Sequence, residues 1–260
     1  MLNDKERGNK MPKLFITSDI HSYYNELIDA LNNAGFDNDN NDHWLIVCGD
    51  CYDRGPDSAK VWKYLKDLPR KVLVRGNHEQ LLIDCCKRGY PMQHDISNGT
   101  AKTIFHLGYG DEFEDMCKYT LAKIRPFIDN MVNYFETENY IFVHSWIPVI
   151  NKDGLPAHYT RGRKFEFNPD WRNASQEEWN SAMWGNPFDM AERGFIPDKT
   201  VVFGHWATEH KWAAVEGRKD FDNNAKFEPY YGDGFIGIDG CTAYSGKCNV
   251  IVIEDEFLEE

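Results

Sequence analysis

Residues 44–55 read WLIVCGDCYDRG. An unbroken apolar run that stops at Gly49-Asp50 has the pattern of a short strand buried on both faces. The pattern recurs upstream at Lys13–Thr17 (KLFIT). Downstream it returns at Lys71–Val74 (KVLV), Tyr140–Val143 (YIFV), Thr200–Phe203 (TVVF), Phe235–Ile238 (FIGI) and Asn249–Ile253 (NVIVI). Between the first strands the spacing changes. Tyr24, Leu27, Ile28 and Leu31 recur at helical intervals before Gly35, and Val61, Tyr64, Leu65 and Leu68 do so before Pro69. Strand–helix–strand alternation predicts an α/β fold whose opening strands pair in parallel.

From Glu79 to about Tyr134 the pattern is helical and free of strands. Phe113, Met116, Thr120, Ile124, Phe127, Ile128 and Met131 form a core stripe that Pro126 should kink or interrupt. Residues 151–173 read as a polar, aromatic loop broken by Gly154, Pro156, Gly162 and Pro169. Ser175-Gln-Glu-Glu178 offers a capping box for a short helix. Residues 216–234 read as a second irregular stretch, too polar for core. With no repeat and no linker, the expectation is one domain over 1–260, with a helical insertion at about 80–135.

Composition narrows the function. Lys+Arg 29 against Asp+Glu 42 leaves a net charge of −13 over 260 residues. That balance repels phosphate backbones and anionic lipids, so neither nucleic acid nor membrane is expected as a partner. It leaves room for a phosphorylated substrate, because bound metal ions reverse the field locally. No apolar run approaches the ~20 residues of a membrane span, and MLNDKERGNK lacks the apolar stretch of a signal peptide. The seven cysteines are odd in number and irregularly spaced. Reduced thiols in a cytoplasm are expected, and Cys48-Gly-Asp-Cys51 is explained by the Gly-Asp inside it.

Polar residues with metal-binding chemistry follow strand after strand. The first run leads to Asp19-Ile-His21 and the second to Gly49-Asp50 and Asp53-Arg54-Gly55. The third leads to Gly76-Asn77-His78-Glu79, the fourth to His144 and the fifth to Gly204-His205. The carboxyl ends of parallel strands line one rim, where sites in α/β folds are built. A mixed oxygen and nitrogen donor set there suits manganese, iron or zinc and needs no thiolate. His43, His94, His106, His158 and His210 have no such context.

SDIH at 18–21, GDCYDRG at 49–55 and RGNHE at 75–79 resemble the three-part signature of the phosphoprotein phosphatase family of metallophosphoesterases, in its bacterial form. HS at 144–145, GH at 204–205 and IDG…GK at 238–247 extend the likeness over most of the chain. The resemblance implies a calcineurin-like fold, two packed β-sheets flanked by helices, with two divalent metal ions (manganese first, iron or zinc otherwise) at one edge. Asp19, His21 and a bridging Asp50 would hold one ion; Asp50, Asn77, His144 and His205 would hold the other. An anion between two dications about 3.5–4 Å apart offsets their repulsion. His78 would donate the proton to the leaving group, Asp53 would orient its ring, and Arg54 would grip the phosphoryl oxygens. Hydroxide held by the metals would attack in line, with no covalent enzyme intermediate.

There are departures from the family pattern. Ser18 and Ser22 stand where glycines are usual, and Asn186 stands where a second phosphate-binding arginine is expected. Arg193, Arg161 and Arg163 are candidate substitutes, and Tyr244 is a candidate rim residue. The leading expectation is a metal-dependent phosphatase of phosphomonoesters, including phosphoserine and phosphothreonine in proteins. The alternative is a hydrolase of dinucleoside polyphosphates, with Trp171, Trp179, Trp184, Trp206 or Trp212 stacking on a base. A noncatalytic binding module with the same fold is the reading from another class.

Overall fold

A computed structural model describes residues 11–153 and 164–258. The chain opens with β1 (Lys13–Thr17), α1 (Tyr24–Ala34), β2 (His43–Cys48), α2 (Ser58–Asp67) and β3 (Lys71–Val74). Helices α3 (Asn77–Arg88), α4 (Gln93–Asn98), α5 (Thr100–Leu107) and α6 (Phe113–Ile128) follow. Then come β4 (Tyr134–Glu136), β5 (Tyr140–Val143), β6 (Ile150–Asn151), β7 (Phe165–Glu166), α7 (Gln176–Ala182) and α8 (Pro187–Glu192). The chain closes with β8 (Thr200–Phe203), α9 (Thr208–Glu216), β9 (Tyr230–Gly232), β10 (Phe235–Gly237), α10 (Thr242–Ser245) and β11 (Ile251–Glu254).

One sheet has the order β11-β1-β2-β3, with β1, β2 and β3 parallel and β11 antiparallel to β1. The other has the order β4-β5-β8-β10-β9, with β5, β8 and β10 parallel. The apolar runs are continuous because each sheet is covered twice. Leu14, Ile16, Ile46, Cys48 and Val74 of the first sheet meet Phe142, Val202 and Ile236 of the second in a shared inner layer. The alternate residues Phe15, Leu45 and Val47 turn outward onto Leu27, Leu31, Val61 and Leu65 of α1 and α2. Ile141, Val143, Val201 and Phe203 turn the other way, onto Trp146, Trp171, Trp179 and Phe188. At ~25 cal/mol per Å² of apolar area removed from water, these three layers are the main favourable term in folding.

Three sequence expectations need correction. Helix α6 passes through Pro126 and ends at Ile128. Proline there removes only one hydrogen bond close to the terminus, so the last turn survives. Strands β4 and β9 were missed because YFE and YYG are short sheet-edge segments with no apolar run. The stretch 216–234 therefore contains β9 and a buried Phe227. The breakers Gly154, Pro156 and Gly162 of the loop at 151–173 lie outside the described residues; its flanks pair as β6 and β7. Among the described residues no helix is long and apolar enough to cross a membrane. All seven cysteines are free thiols.

Candidate active site

The parallel strands deliver the sequence motifs to one edge. Asp19 and His21 follow β1, Asp50, Asp53 and Arg54 follow β2, and Asn77 and His78 open α3 after β3. His144 and His205 follow β5 and β8 of the second sheet. The backbone bends sharply here. Asp19 (φ 50°), His21 (48°), Asp50 (55°), Asp53 (71°), Arg54 (61°) and His205 (68°) all take left-handed conformations without being glycine. Such strain persists only where the surroundings over-determine it, and it gathers at functional sites. Glycine admits the closest approaches. A Cβ on Gly76 would collide with Asp50 Oδ1, and one on Gly204 would collide with Asp19 Oδ2.

His21, Asp50 and His78 each bring a ligand atom within 4.8 Å of the others, and so do Asp50, His144 and His205. Asp50 is common to both groups. Asp19 Oδ1 lies 3.9 Å from His21 Nε2, and Asp19 Oδ2 accepts the His205 N–H at 2.9 Å. Asn77 Oδ1 lies 2.8 Å from His144 Nε2. His78 Nδ1 meets Asp53 Oδ2 at 2.8 Å, and Arg54 Nη2 lies 3.5 Å from His78 Nε2. Asp19, His21, Asp50, Asp53, Arg54, Asn77, His78, His144 and His205 thus meet at one rim, all buried except the solvent-exposed Arg54 and the half-buried His205.

The imidazole orientations test whether this donor set fits a cation. His144 Nδ1 faces the Cys48 carbonyl at 2.9 Å, and His21 Nδ1 faces the Tyr52 carbonyl at 2.9 Å. A carbonyl only accepts, so Nδ1 carries the proton and the bare Nε2 lone pair turns inward. There His144 Nε2 meets Asp50 Oδ1 at 3.4 Å, and His21 Nε2 meets Asp50 Oδ2 at 3.8 Å. Acceptors converging on acceptors, each ring anchored behind by a carbonyl, form a fitting cradle for a metal ion.

Electrostatics sort the histidines. Burial lowers His21, His144 and His205, the last to about 3. Neutral imidazole is the form a metal takes. Burial also works against charge on His78, but the Asp50 and Asp53 carboxylates outweigh it and hold His78 above its ordinary value. Burial would raise Asp50, yet the imidazoles of His144, His78, His21 and His205 hold it below the usual carboxylate range. Asp19 is raised by burial and by the carboxylates of Asp239 and Asp50.

Two residues quoted within the sequence motifs carried no assigned role. Glu79 is fully buried; its Oε2 accepts the N–H groups of Asp50 at 3.0 Å and Gly76 at 2.8 Å, and its Oε1 accepts that of Cys51 at 2.8 Å. It ties the two central motifs together, and burial with the Asp50 charge lifts its carboxyl to about 7. Asp239 was quoted within the IDG pattern without a role; it lies buried and raises Asp19. Asn186 is an N-cap, its Oδ1 accepting from Phe188 N at 3.1 Å and Asp189 N at 3.2 Å. Arg193 donates to Asp189 Oδ2 at 2.9 Å, whereas Arg161 and Arg163 lie outside the described residues. Trp171 and Trp179 are core residues packed on Tyr134, which removes them as base-stacking platforms. Tyr244 is exposed and leans on Phe221 and Phe227.

Two packed sheets with a carboxylate and imidazole cluster on their common rim define a phosphoesterase architecture with a candidate metal site. The chain belongs to the calcineurin-like phosphoesterase family, whose model matches residues 12–215. A symmetrical bis(5′-nucleosyl)-tetraphosphatase of Buchnera aphidicola is 46% identical over 70 residues, 26% of this chain and 25% of that protein. One from Coxiella burnetii is 26% identical over 160 residues, 56% of this chain and 47% of that protein. The aligned segments thus span from a quarter to about half of these curated relatives. Among solved structures, the cold-active protein tyrosine phosphatase of a psychrophilic Shewanella species superposes with a TM-score of 0.52 at 16% identity, covering 94% of this chain and 76% of that one. That likeness shows the fold.

Proposed function

We propose that this phosphoesterase hydrolyses dinucleoside polyphosphates, the reading the sequence placed second. Phosphomonoesters and phosphoproteins move behind it, because the curated relatives reported above carry a tetraphosphatase name. The observation that carries the chemistry is the shared position of Asp50 between two donor groups, with His78 and Arg54 beside it.

Asp19, His21 and Asp50 would hold one divalent cation, and Asp50, Asn77, His144 and His205 a second. Bound there, the cations would neutralise phosphoryl oxygens and acidify a coordinated water. The protein's own groups do the rest. Arg54, planar and always charged, grips phosphoryl oxygens by two parallel N–H bonds. Asp53 fixes the His78 Nδ1–H, which leaves Nε2 facing Arg54 and the incoming phosphoryl group. As the bond from phosphorus to the leaving oxygen breaks, that oxygen takes the His78 Nε2 proton and the water oxygen ends on phosphorus. The water's own proton then restores the imidazolium, so one water is consumed per bond cleaved. Proton donation of this kind contributes on the order of 10²–10⁴-fold.

The deciding experiment compares diadenosine tetraphosphate with a phosphoserine peptide, each with added manganese. Symmetrical cleavage of the dinucleotide yields two molecules of ADP, and kcat/KM for it should exceed that for the peptide. Preference for the peptide would overturn this assignment.

A further inference from the structure

The wall behind Asp53 comes from α5, a helix outside every motif read in the sequence. Thr100 Oγ1 donates to Asp53 Oδ2 at 2.6 Å, and Thr103 Oγ1 donates to Asp53 Oδ1 at 2.9 Å. The Asp53 N–H in turn donates to Thr103 Oγ1 at 3.0 Å. Asp53, Thr100 and Thr103 are each fully buried. The two threonines stand three residues apart on one helix face, the spacing that lets both reach a single partner. Gly99, at φ 83°, brings the start of α5 so close that a Cβ there would press on the Arg54 backbone nitrogen. The Asn98 carbonyl accepts the Arg54 N–H at 3.2 Å, and Lys102 Nζ donates to the Arg54 carbonyl at 3.2 Å.

A lone carboxylate can rotate about its Cβ–Cγ bond and present either oxygen in many directions. Here each oxygen carries a hydroxyl bond, so Oδ2 stays aimed at His78 Nδ1, 2.8 Å away. The imidazole is thereby held in one tautomer, with Nε2 toward the substrate side. We infer that Thr100 and Thr103 are positioning residues for the His78 proton donor, acting through Asp53. The inference rests on the reading of His78 given above. Neither threonine needs to touch substrate. Geometry accurate to about 0.5 Å demands a locked supporting shell, and this pair supplies it.

The test is leaving-group dependence, measured with manganese on phenyl phosphate and 4-nitrophenyl phosphate. Phenolate leaves less readily than 4-nitrophenolate and leans harder on proton transfer, so loss of the donor penalises phenyl phosphate more. Thr100→Val and Thr103→Val should each lower kcat for phenyl phosphate by ~10-fold more than for 4-nitrophenyl phosphate, within the range general-acid catalysis spans. Thr100→Ser, which restores the hydroxyl, should recover the wild-type ratio. In a His78→Asn background Thr100→Val should add no further loss, because two residues acting as a unit are not additive. The His78 Nδ1–H resonance should also shift in Thr100→Val. If valine prevents folding, Thr100→Ala takes its place in the same comparisons. Equal losses on both esters, no recovery with serine, or full additivity with His78→Asn would overturn the positioning role. A flat ester ratio in His78→Asn itself would overturn the donor assignment and this inference with it. A steep ratio in His78→Asn beside a flat one in Thr100→Val would overturn the threonines alone.

Discussion

His144 Nε2 faces His205 Nδ1 across 3.1 Å, with Asn77 Oδ1 2.8 Å from the same His144 nitrogen. The His144 proton is committed to the Cys48 carbonyl, and His205 makes its own hydrogen bond to the Trp184 backbone. Electron pairs therefore point at one another inside a buried site, an arrangement that a bound cation converts from repulsion to attraction. Metal binding should then stabilise the fold. At about a hundred times the dissociation constant the gain is ~2.7 kcal/mol. For a chain of this size that is a rise of roughly 5–10 °C in Tm. Chelator and manganese melts check this, and an unchanged Tm would count against the site. Asp50→Asn, which removes the residue common to both donor groups, should abolish most of the shift.

Two glycines make that shift vulnerable from the side. Gly76→Ala drives a methyl into Asp50 Oδ1, and Gly204→Ala drives one into Asp19 Oδ2 and Ser18 Oγ. Asp50 and Asp19 are proposed ligands, and their carboxylates cannot move aside without leaving the site. Each variant should lose manganese affinity by at least ~10-fold, in the range reported for disturbed supporting residues. Titration by calorimetry on folded protein reads it directly; wild-type affinity would show that the carboxylates can yield.

The strands and the rim were legible because parallel strands bury both faces and end together: WLIVC, KVLV and TVVF needed no neighbour to be recognised. β4 and β9 were not, since Tyr134–Glu136 and Tyr230–Gly232 are held by sheet pairing more than by their own pattern. Thr100 and Thr103 left no trace either. Hydroxyls 47 and 50 residues along the chain from Asp53 acquire meaning only when α5 folds back onto its turn.

Asn186 shows how a residue expected by motif can serve another end. Its side chain caps α8 through Phe188 N and Asp189 N, while Pro187 occupies the first turn. Asn186→Ala should cost about 1 kcal/mol, the usual loss for an N-cap. KM for diadenosine tetraphosphate should stay within a factor of two or so, because no phosphate contact is removed. A large rise in KM with unchanged stability would restore Asn186 to the binding site.

The polar stretch after α9 is organised from beneath by one carboxylate. Glu209 is fully buried; Oε1 accepts from Arg218 Nη1 at 2.9 Å and Phe221 N at 3.1 Å, and Oε2 accepts from Arg218 Nη2 at 3.2 Å and Lys226 N at 2.6 Å. Burial pushes its pKa up, but Arg218 and the two backbone N–H groups outweigh burial and hold it below the ordinary glutamate value. A carboxyl depressed in the folded state gives stability that is fully present above its unfolded pKa. That stability is lost as pH falls through the lower folded value. Glu209→Gln keeps the shape and removes the charge, and should cost ~2 kcal/mol near neutrality, as hydrogen bonds to a charged group do. The gap between wild type and variant should narrow once pH falls below the unfolded glutamate value of about 4.3. Urea melts at pH 7 and pH 4 measure it. A gap that stays constant or widens toward acid would mean that Arg218, Phe221 and Lys226 do not depend on the Glu209 charge.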